Sequence, residues 1–284
     1  MALNAYIAAT QRLVHDTAGQ RYSTTDLTTY INTARSQLAL EGECVRFLYG
    51  LDGMLSLAGT TVSGSPIISG ITSTSGLQNG WGLYGTGIPN NATVASFTGV
   101  SITMSANATA TGATTVNTQI QTVINQETYL MPTDVSLGAG VKNIIQLKSI
   151  SINFGGAQGS NQYMLSQLDF TALQAYYRFY GPNLVGNPAI WARYQSKVYL
   201  RPIPSQTYPM QWDTVCSVID LVNDASVEAI PYPFTDCIPY FAAYLALMNS
   251  QRPQDADNMF KLYEQFNGRA RKFIQRTYAP SIYS

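Results

Sequence analysis

Apolar residues recur at spacings of three and four near the N-terminus, and this pattern predicts two helices. The first carries an apolar stripe of Leu3, Ile7, Leu13 and Val14. The stripe of the second helix is longer and consists of Leu27, Tyr30, Ile31, Ala34 and Leu38. Ser23 and Asp26 have the spacing of a capping box at its start. Gly19 separates the two helices, and so short a connection predicts antiparallel packing.

A different pattern follows, in which short β-branched runs alternate with glycine and asparagine. These runs cover residues 60–62, 67–71, 93–97, 101–104 and 114–116. Strands of this length and spacing predict a small antiparallel sandwich or barrel over residues 57–119. The low complexity of the segment leaves a flexible linker as the alternative.

The chain beyond residue 120 returns to a mixed pattern. Residues 141–154 read as one long strand or two short ones, and residues 211–221 as a further strand. Residues 190–193 and 197–201 read as the arms of a hairpin that turns at 194–196. A short helix is predicted over 170–178, with Leu173, Tyr176 and Tyr177 facing inward.

Two further helices are predicted at the C-terminus. One carries the stripe that runs from Phe234 to Met248, and the other begins at Pro253 and ends at Pro280. Together the patterns predict an α+β fold. Its helical body consists of the N-terminal and C-terminal helix pairs, with a β-rich segment and an inserted small β-sandwich or barrel. The predicted domains are a discontinuous body of residues 1–56 and 120–284 and an insert of residues 57–119.

Charge is scarce in this chain. The 284 residues include 16 basic and 16 acidic ones, so the net charge is zero and only 11% of residues are charged. A strongly basic nucleic-acid-binding protein and a disordered chain are thereby excluded. No charged residue occurs between Asp52 and Glu127, which marks the insert as a separate segment. Nineteen tyrosines and ten phenylalanines on so weakly charged a chain favour large protein–protein contacts.

The sequence offers little for catalysis. Histidine occurs once, at His15, so a Ser-His-Asp triad has no second imidazole to use, and no metal-binding or phosphate-binding motif is present. We therefore expect no catalytic residue, cofactor or metal. The widely spaced Cys44, Cys216 and Cys237 are expected to be buried free thiols. No apolar run is long enough to span a membrane, and no secretory signal is visible, so no membrane partner is expected.

One cluster of positive charge stands out near the C-terminus. It consists of Arg269, Arg271, Lys272 and Arg276, with no acidic residue among them. Cations favour the C-terminal end of a helix, which is one explanation. An acidic partner surface and a phosphate contact are the alternatives.

Several segments resemble tailed-bacteriophage head-to-tail adaptor proteins, also called connector or neck proteins. Residues 27–46 (LTTYINTARSQLALEGECVR) are similar to the N-terminal helix of that family. Residues 188–193 (PAIWAR), 198–204 (VYLRPIP) and 231–234 (PYPF) resemble its β stretch and the approach to its C-terminal helices. The insert is similar to small β-modules of phage structural proteins and departs from a minimal adaptor.

The resemblance implies a virion structural protein without enzymatic activity, made in the host cytoplasm and located at the head–tail junction. Such adaptors form a homo-oligomeric ring, here expected to contain twelve subunits, beneath the portal protein. The ring extends the channel through which double-stranded DNA passes and offers a platform for tail, nozzle or fibre proteins. The family's C-terminal segments dock on the portal. Carried over to this chain, that role falls on Arg269, Arg271, Lys272, Arg276, Tyr278, Ile282 and Tyr283.

Other functions remain open at this stage. The glycine- and threonine-rich insert favours a different phage tail component or a fibre-attachment protein. A glycan-cleaving virion enzyme would need two carboxylates across a cleft. Within the insert, Trp81, Tyr84 and Phe97 could stack on sugars, although core packing explains aromatic residues equally.

Overall fold

The computed structural model describes residues 2–50, 55–75, 77–89, 92–131, 136–138, 140–154, 162–180 and 184–277. The chain divides into two compact units. Unit 1 consists of Met1–Arg46, Ser136–Ile145 and Val215–Ser284, and unit 2 of Phe47–Val135 and Gln146–Thr214.

Unit 1 contains most of the helical structure. The helices of the protein are α1 (Leu3–Leu13), α2 (Thr24–Gly42), α3 (Phe170–Tyr180), α4 (Ile238–Asn249) and α5 (Pro253–Thr277), with a 3-10 turn at Phe234–Cys237 leading into α4. All of them except α3 belong to unit 1. All five predicted helices are therefore present. The end of the last helix that was predicted at Pro280 lies outside the described residues. The predicted inward positions of Tyr176 and Tyr177 concern side chains that the structure does not describe.

Helix α2 shows how local sequence signals set the boundaries. The Ser23 hydroxyl accepts a hydrogen bond from the Asp26 backbone N–H at 3.1 Å, which confirms the predicted cap. Leu27, Ile31 and Leu38 are completely buried along its apolar stripe. The helix ends where Glu43 adopts the left-handed conformation, with a φ of 45°.

The loop between α1 and α2 is organised by one carboxylate. Asp16 accepts backbone hydrogen bonds from Gln20, Arg21 and Tyr22 at 2.8–3.0 Å. Burial alone would raise the pKa of the Asp16 carboxyl, but these three N–H donors outweigh it, so the pKa lies below its ordinary value. The ionised form of Asp16 is therefore favoured by the folded loop.

Strands make up the larger part of the architecture. They are β1 (Arg46–Tyr49), β2 (Ser56–Thr61), β3 (Ile67–Ile68), β4 (Gly82–Tyr84), β5 (Val94–Phe97), β6 (Ile102–Met104), β7 (Gly112–Gln119), β8 (Thr128–Leu130), β9 (Ser136–Gly138), β10 (Val141–Asn153), β11 (Gln162–Met164), β12 (Ser166–Gln167), β13 (Val185–Gly186), β14 (Ile190–Tyr194), β15 (Lys197–Arg201), β16 (Ile203–Pro204) and β17 (Met210–Val218). Within the described residues they form five sheets.

The largest sheet has the strand order β1-β17-β10-β11, with β9 also paired to β10. Its centre is β10, so the apolar run over 141–154 forms one long strand and not two short ones. A second sheet has the order β12-β14-β15-β8. Its β14–β15 hairpin confirms another prediction, with Tyr194 opposite Lys197 and Gln195 in the turn at a φ of 54°.

The segment predicted as an insert folds into two three-stranded sheets, β2-β7-β4 and β3-β6-β5. Strand β4 was not predicted, because Gly80 and Gly82 read as turn residues. Gly82 is instead a strand residue that pairs with Gln119, and a Cβ atom there would lie 2.6 Å from the Gln121 side-chain oxygen. The glycine thus serves close packing rather than a turn. The predicted domain limits at 57 and 119 stay a prediction.

The predicted helical body is wrong. The protein is β-rich, with its strands in five sheets among the described residues, and the four helices of unit 1 do not define the fold class. The error has a physical cause. Strands of two to four residues, such as β8, β11, β12 and β16, are too short to show a period of their own. They exist because distant segments supply their hydrogen-bond partners.

We expect acid to weaken the loop between the first two helices. The folded-state pKa of Asp16 is depressed, so its contribution is complete above the ordinary carboxyl pKa and is lost as pH falls through the lower folded value. Urea unfolding of the wild type and of D16N at pH 7 and pH 3 measures this. The difference in free energy of unfolding between wild type and D16N should be smaller at pH 3 than at pH 7. An equal difference at both pH values would contradict the stabilising role of the Asp16 carboxylate.

Candidate assembly surface

The predicted docking residues lie on α5, a helix with strong local signals. Pro253 begins it, and ion pairs join Arg252 to Asp255 and Lys261 to Asp257 across its first turns, each at 2.6 Å. Aromatic side chains pack α5 against α4: the ring of Phe266 stacks on Tyr240 at 4.9 Å. The first half of α5 is thus fixed by ordinary helix packing.

A second set of contacts, made by Tyr263 and Arg271, ties α5 to the end of α2. The Tyr263 hydroxyl donates to a Glu41 carboxylate oxygen at 2.9 Å. Burial, reinforced by this bond to an acid, raises the pKa of Tyr263. Arg271 donates to the Glu41 backbone carbonyl at 2.6 Å and to the Asn267 side chain at 3.3 Å. A cation on a free carbonyl of the last turn stabilises α2, so Arg271 has a structural partner within the chain.

The other predicted docking residues divide into two groups. Arg269 and Lys272 are exposed on α5, with the Arg269 guanidinium 5.7 Å from the centre of the Phe266 ring. Arg276 belongs to α5, but its side chain is not described. Tyr278, Ile282 and Tyr283 lie outside the described residues. The structure therefore brings Arg269, Arg271 and Lys272 together at the end of α5.

A buried ion pair that the sequence analysis missed lies at the centre of unit 1. Arg35 is completely buried and Glu228 is 7% exposed, and their charged atoms are 2.9 Å apart. Arg35 Nε also lies 3.1 Å from the second Glu228 oxygen, which completes a bidentate contact. A signal did exist: Arg35 follows Ile31 by four residues and precedes Leu38 by three, which places it on the apolar face of α2.

The partners of this ion pair join three segments. Arg35 also donates to the side chain of Asn32 at 3.1 Å and to the backbone carbonyl of Ile219 at 2.8 Å. The Glu228 carboxylate accepts hydrogen bonds from the Tyr6 hydroxyl at 2.9 Å and from the backbone N–H of Ile230 at 3.0 Å. Burial, together with the adjacent Glu228 carboxylate, raises the pKa of Tyr6 and keeps its hydroxyl protonated as a donor. Helices α1 and α2 and residues 219–230 thus share one polar cluster, which we call the Arg35 hub.

The segment held by the hub exposes large apolar side chains. Val222 is 78% exposed, Val227 59% and Tyr232 74%. Single exposed apolar residues are normal on protein surfaces. Here three of them occur within one short stretch, next to the backbone that Arg35 and Glu228 fix, and we call these three exposed residues the 222–232 edge.

The remaining candidate residues have simple roles. Trp81 is 6% exposed and donates to the Tyr49 hydroxyl at 3.1 Å, whereas Tyr84 and Phe97 are each 38% exposed. Trp81 is therefore a core residue and offers no ring face to a sugar. Cys44, Cys216 and Cys237 are buried and free, as predicted.

Neither a metal-binding cluster nor a membrane-spanning helix is present in the described part of the chain. No three histidine, cysteine, aspartate or glutamate side chains there are grouped closely enough to hold a metal ion. None of the helices there is both long and apolar enough to cross a membrane.

Substitution of Arg35 tests the hub. In R35M the Glu228 carboxylate stays buried without its cation, and we expect a loss of about 3–5 kcal/mol in the free energy of unfolding. The double variant R35M/E228M removes both charges and should be less destabilised than R35M. Guanidinium unfolding of the three proteins measures the difference. A double variant at least as unstable as R35M would show that the ion pair is not the source of the loss.

Comparison with known proteins adds no relative to this picture: no family model matches the chain, and no curated protein matches it significantly.

Proposed function

We propose that this chain is a virion structural protein, a head-to-tail adaptor that forms a ring beneath the portal. The observation that carries the proposal is the exposed 222–232 edge on a chain with only 11% charged residues. Burial of apolar surface is the main favourable term in protein association, and charge is depleted at the centres of interfaces. A surface of this kind suits a subunit that works inside an assembly.

The resemblance to adaptor proteins supplies the finer part of the proposal. In this reading the ring has twelve subunits, surrounds the path of double-stranded DNA and carries tail, nozzle or fibre proteins. A chain of zero net charge suits such a channel, because a basic wall would hold DNA by its phosphates. The protein carries out no reaction and needs no cofactor.

The segment that follows α5, from Tyr278 onward, is the part that we assign to the portal, and the end of α5 positions it. Arg271 is fixed on α2, which positions the exposed Arg269 and Lys272 beside it. The sequence that follows is rich in aromatic and small residues, through Tyr278, Ile282 and Tyr283. Tyrosine is enriched at protein–protein interfaces, so this sequence suits contact with the portal.

A second candidate is a tail component or fibre-attachment protein. The two three-stranded sheets between Ser56 and Gln119 favour it, since a charge-free β segment suits a fibre junction. The two candidates differ in stoichiometry, which makes them separable in one experiment.

Native mass spectrometry of the full chain, with and without its portal protein, tests the proposal. An adaptor should be largely monomeric alone and should form a complex with twelve copies on the portal ring. A stable trimer that ignores the portal would favour the fibre-attachment function. A monomer that never joins the portal would refute the adaptor assignment.

Truncation tests the portal-binding end. A variant that lacks residues 279–284 should bind the portal at least about tenfold more weakly, a loss of about 1.4 kcal/mol, while its thermal unfolding midpoint stays unchanged. The matched control is K261E, which alters an exposed cation elsewhere on α5. Unchanged portal affinity of the truncated protein would show that this segment does not dock.

A further inference from the structure

Unit 1 contains a groove with a volume of about 860 Å³. Among its lining residues are Ile7 of α1, Thr24 and Thr28 of α2, and Leu221 and Val222 of the segment held by the Arg35 hub. Ile7 and Leu221 are buried and give it an apolar floor, whereas Val222 is exposed at its rim.

The charged residues among the described lining of the groove are all acidic. Asp220 and Asp224 line it, and none of its described lining residues is a lysine or arginine. Asp224 also accepts hydrogen bonds from the backbone and side-chain amides of Asn4 at the start of α1. Asp220 is exposed on the rim. An apolar floor with acidic walls fits an occupant that combines cations with apolar carbon.

The end of α5 has the complementary character. Arg269 and Lys272 are exposed there, and the Arg269 guanidinium lies over the Phe266 ring. Among the described residues this is the densest positive cluster, since Arg271 lies between them. The groove and the end of α5 therefore match in charge and in their mix of polar and apolar surface.

The two surfaces cannot meet within one copy. Asn32 of α2 binds the backbone of Leu221 at the groove, whereas Arg271 is bound to Glu41 at the opposite end of the same helix. Roughly 14 Å of rigid helix separates Asn32 from Glu41 at 1.5 Å per residue, and Thr24 lies farther away still. Complementary surfaces on opposite ends of one rigid unit generate head-to-tail contacts, which form a ring when the rotation between neighbouring copies closes.

We infer that the groove receives the end of α5, with Arg269 and Lys272, from a second copy of this chain. Lys272 and Arg269 of one subunit lie against Asp220 and Asp224 of the next, and the apolar rim at Val222 covers their aliphatic stems. This inference rests on the proposed ring and specifies its lateral contact. The residues beyond Thr277 remain available to the portal.

Disulfide trapping between two singly substituted full-length proteins tests the contact. One protein carries D220C and the other, with a tag that changes its size, carries K272C. Because each protein has one new thiol, a mixed disulfide can form only between copies. The natural cysteines are buried, and burial raises the pKa of the Cys44 and Cys237 thiols to about 12, which keeps them unreactive.

The matched control pairs D220C with K261C, which places the thiol on an exposed lysine position nearer the start of α5. With oxidised glutathione, the D220C–K272C pair should cross-link at least about tenfold faster than the control, because docking raises the effective thiol concentration. The difference in cross-linking rate between the two pairs should become smaller at about 1 M NaCl, where charge attraction is screened. Equal rates for the two pairs, or an excess that ignores salt, would overturn the inference.

The outcome is separable from that of the portal experiment. Rings that form on the portal without preferential D220C–K272C trapping would retain the adaptor function and reject this contact. Preferential trapping in a protein that ignores the portal would retain the contact between copies and reject the adaptor function.

Discussion

The Arg35 hub is the constraint on which the helical unit depends. A completely buried guanidinium is stable only when its donors have acceptors, because desolvation of an unpaired charge costs several kcal/mol. Glu228 supplies two of those acceptors, and the carbonyl of Ile219 supplies another. Both partners are far from Arg35 in sequence but belong to one short segment. That segment must therefore lie where all the donors of Arg35 have acceptors. The backbone of residues 219–230 is thereby held on α1 and α2 although it contains no helix.

The hub also accounts for an unusual combination of order and exposure. Apolar side chains such as Val222 and Tyr232 would normally draw a surface loop inward. Here the neighbouring backbone is committed to Arg35 and Asn32, so these side chains stay at the surface. A fixed apolar edge loses little conformational entropy when a partner covers it, which favours association. Order within unit 1 thus keeps these apolar side chains exposed on a fixed backbone, which suits the assembly that we propose.

Much of the local structure follows from the sequence, and the fold class does not. Helix α2 could be predicted because its cap at Ser23 and its stripe from Leu27 to Leu38 are contained within one segment. Strand β10 could be predicted for the same reason. Strand β4 could not, because Gly82 looks like a turn residue until Gln121 is seen beside it. In the candidate site, the cationic end of α5 was visible as a cluster, but the structural duty of Arg271 depends on Glu41, far away in the chain.

The distribution of charge gives the scarce ionic residues of unit 1 separate tasks. Arg35 and Glu228 form an ion pair inside the unit, and Arg271 is hydrogen-bonded to the end of α2. On the surface of unit 1, the end of α5 carries Arg269 and Lys272, and the groove at the other end of α2 carries Asp220 and Asp224. Two copies of a chain with zero net charge can still attract each other, provided that its positive and negative groups are far apart on a rigid body. In the proposed ring each acidic groove would meet one cationic helix end, so every junction would be neutral and no excess charge would accumulate around the axis. The contact that we propose is therefore compatible with a ring around DNA that has no charged seam between its subunits.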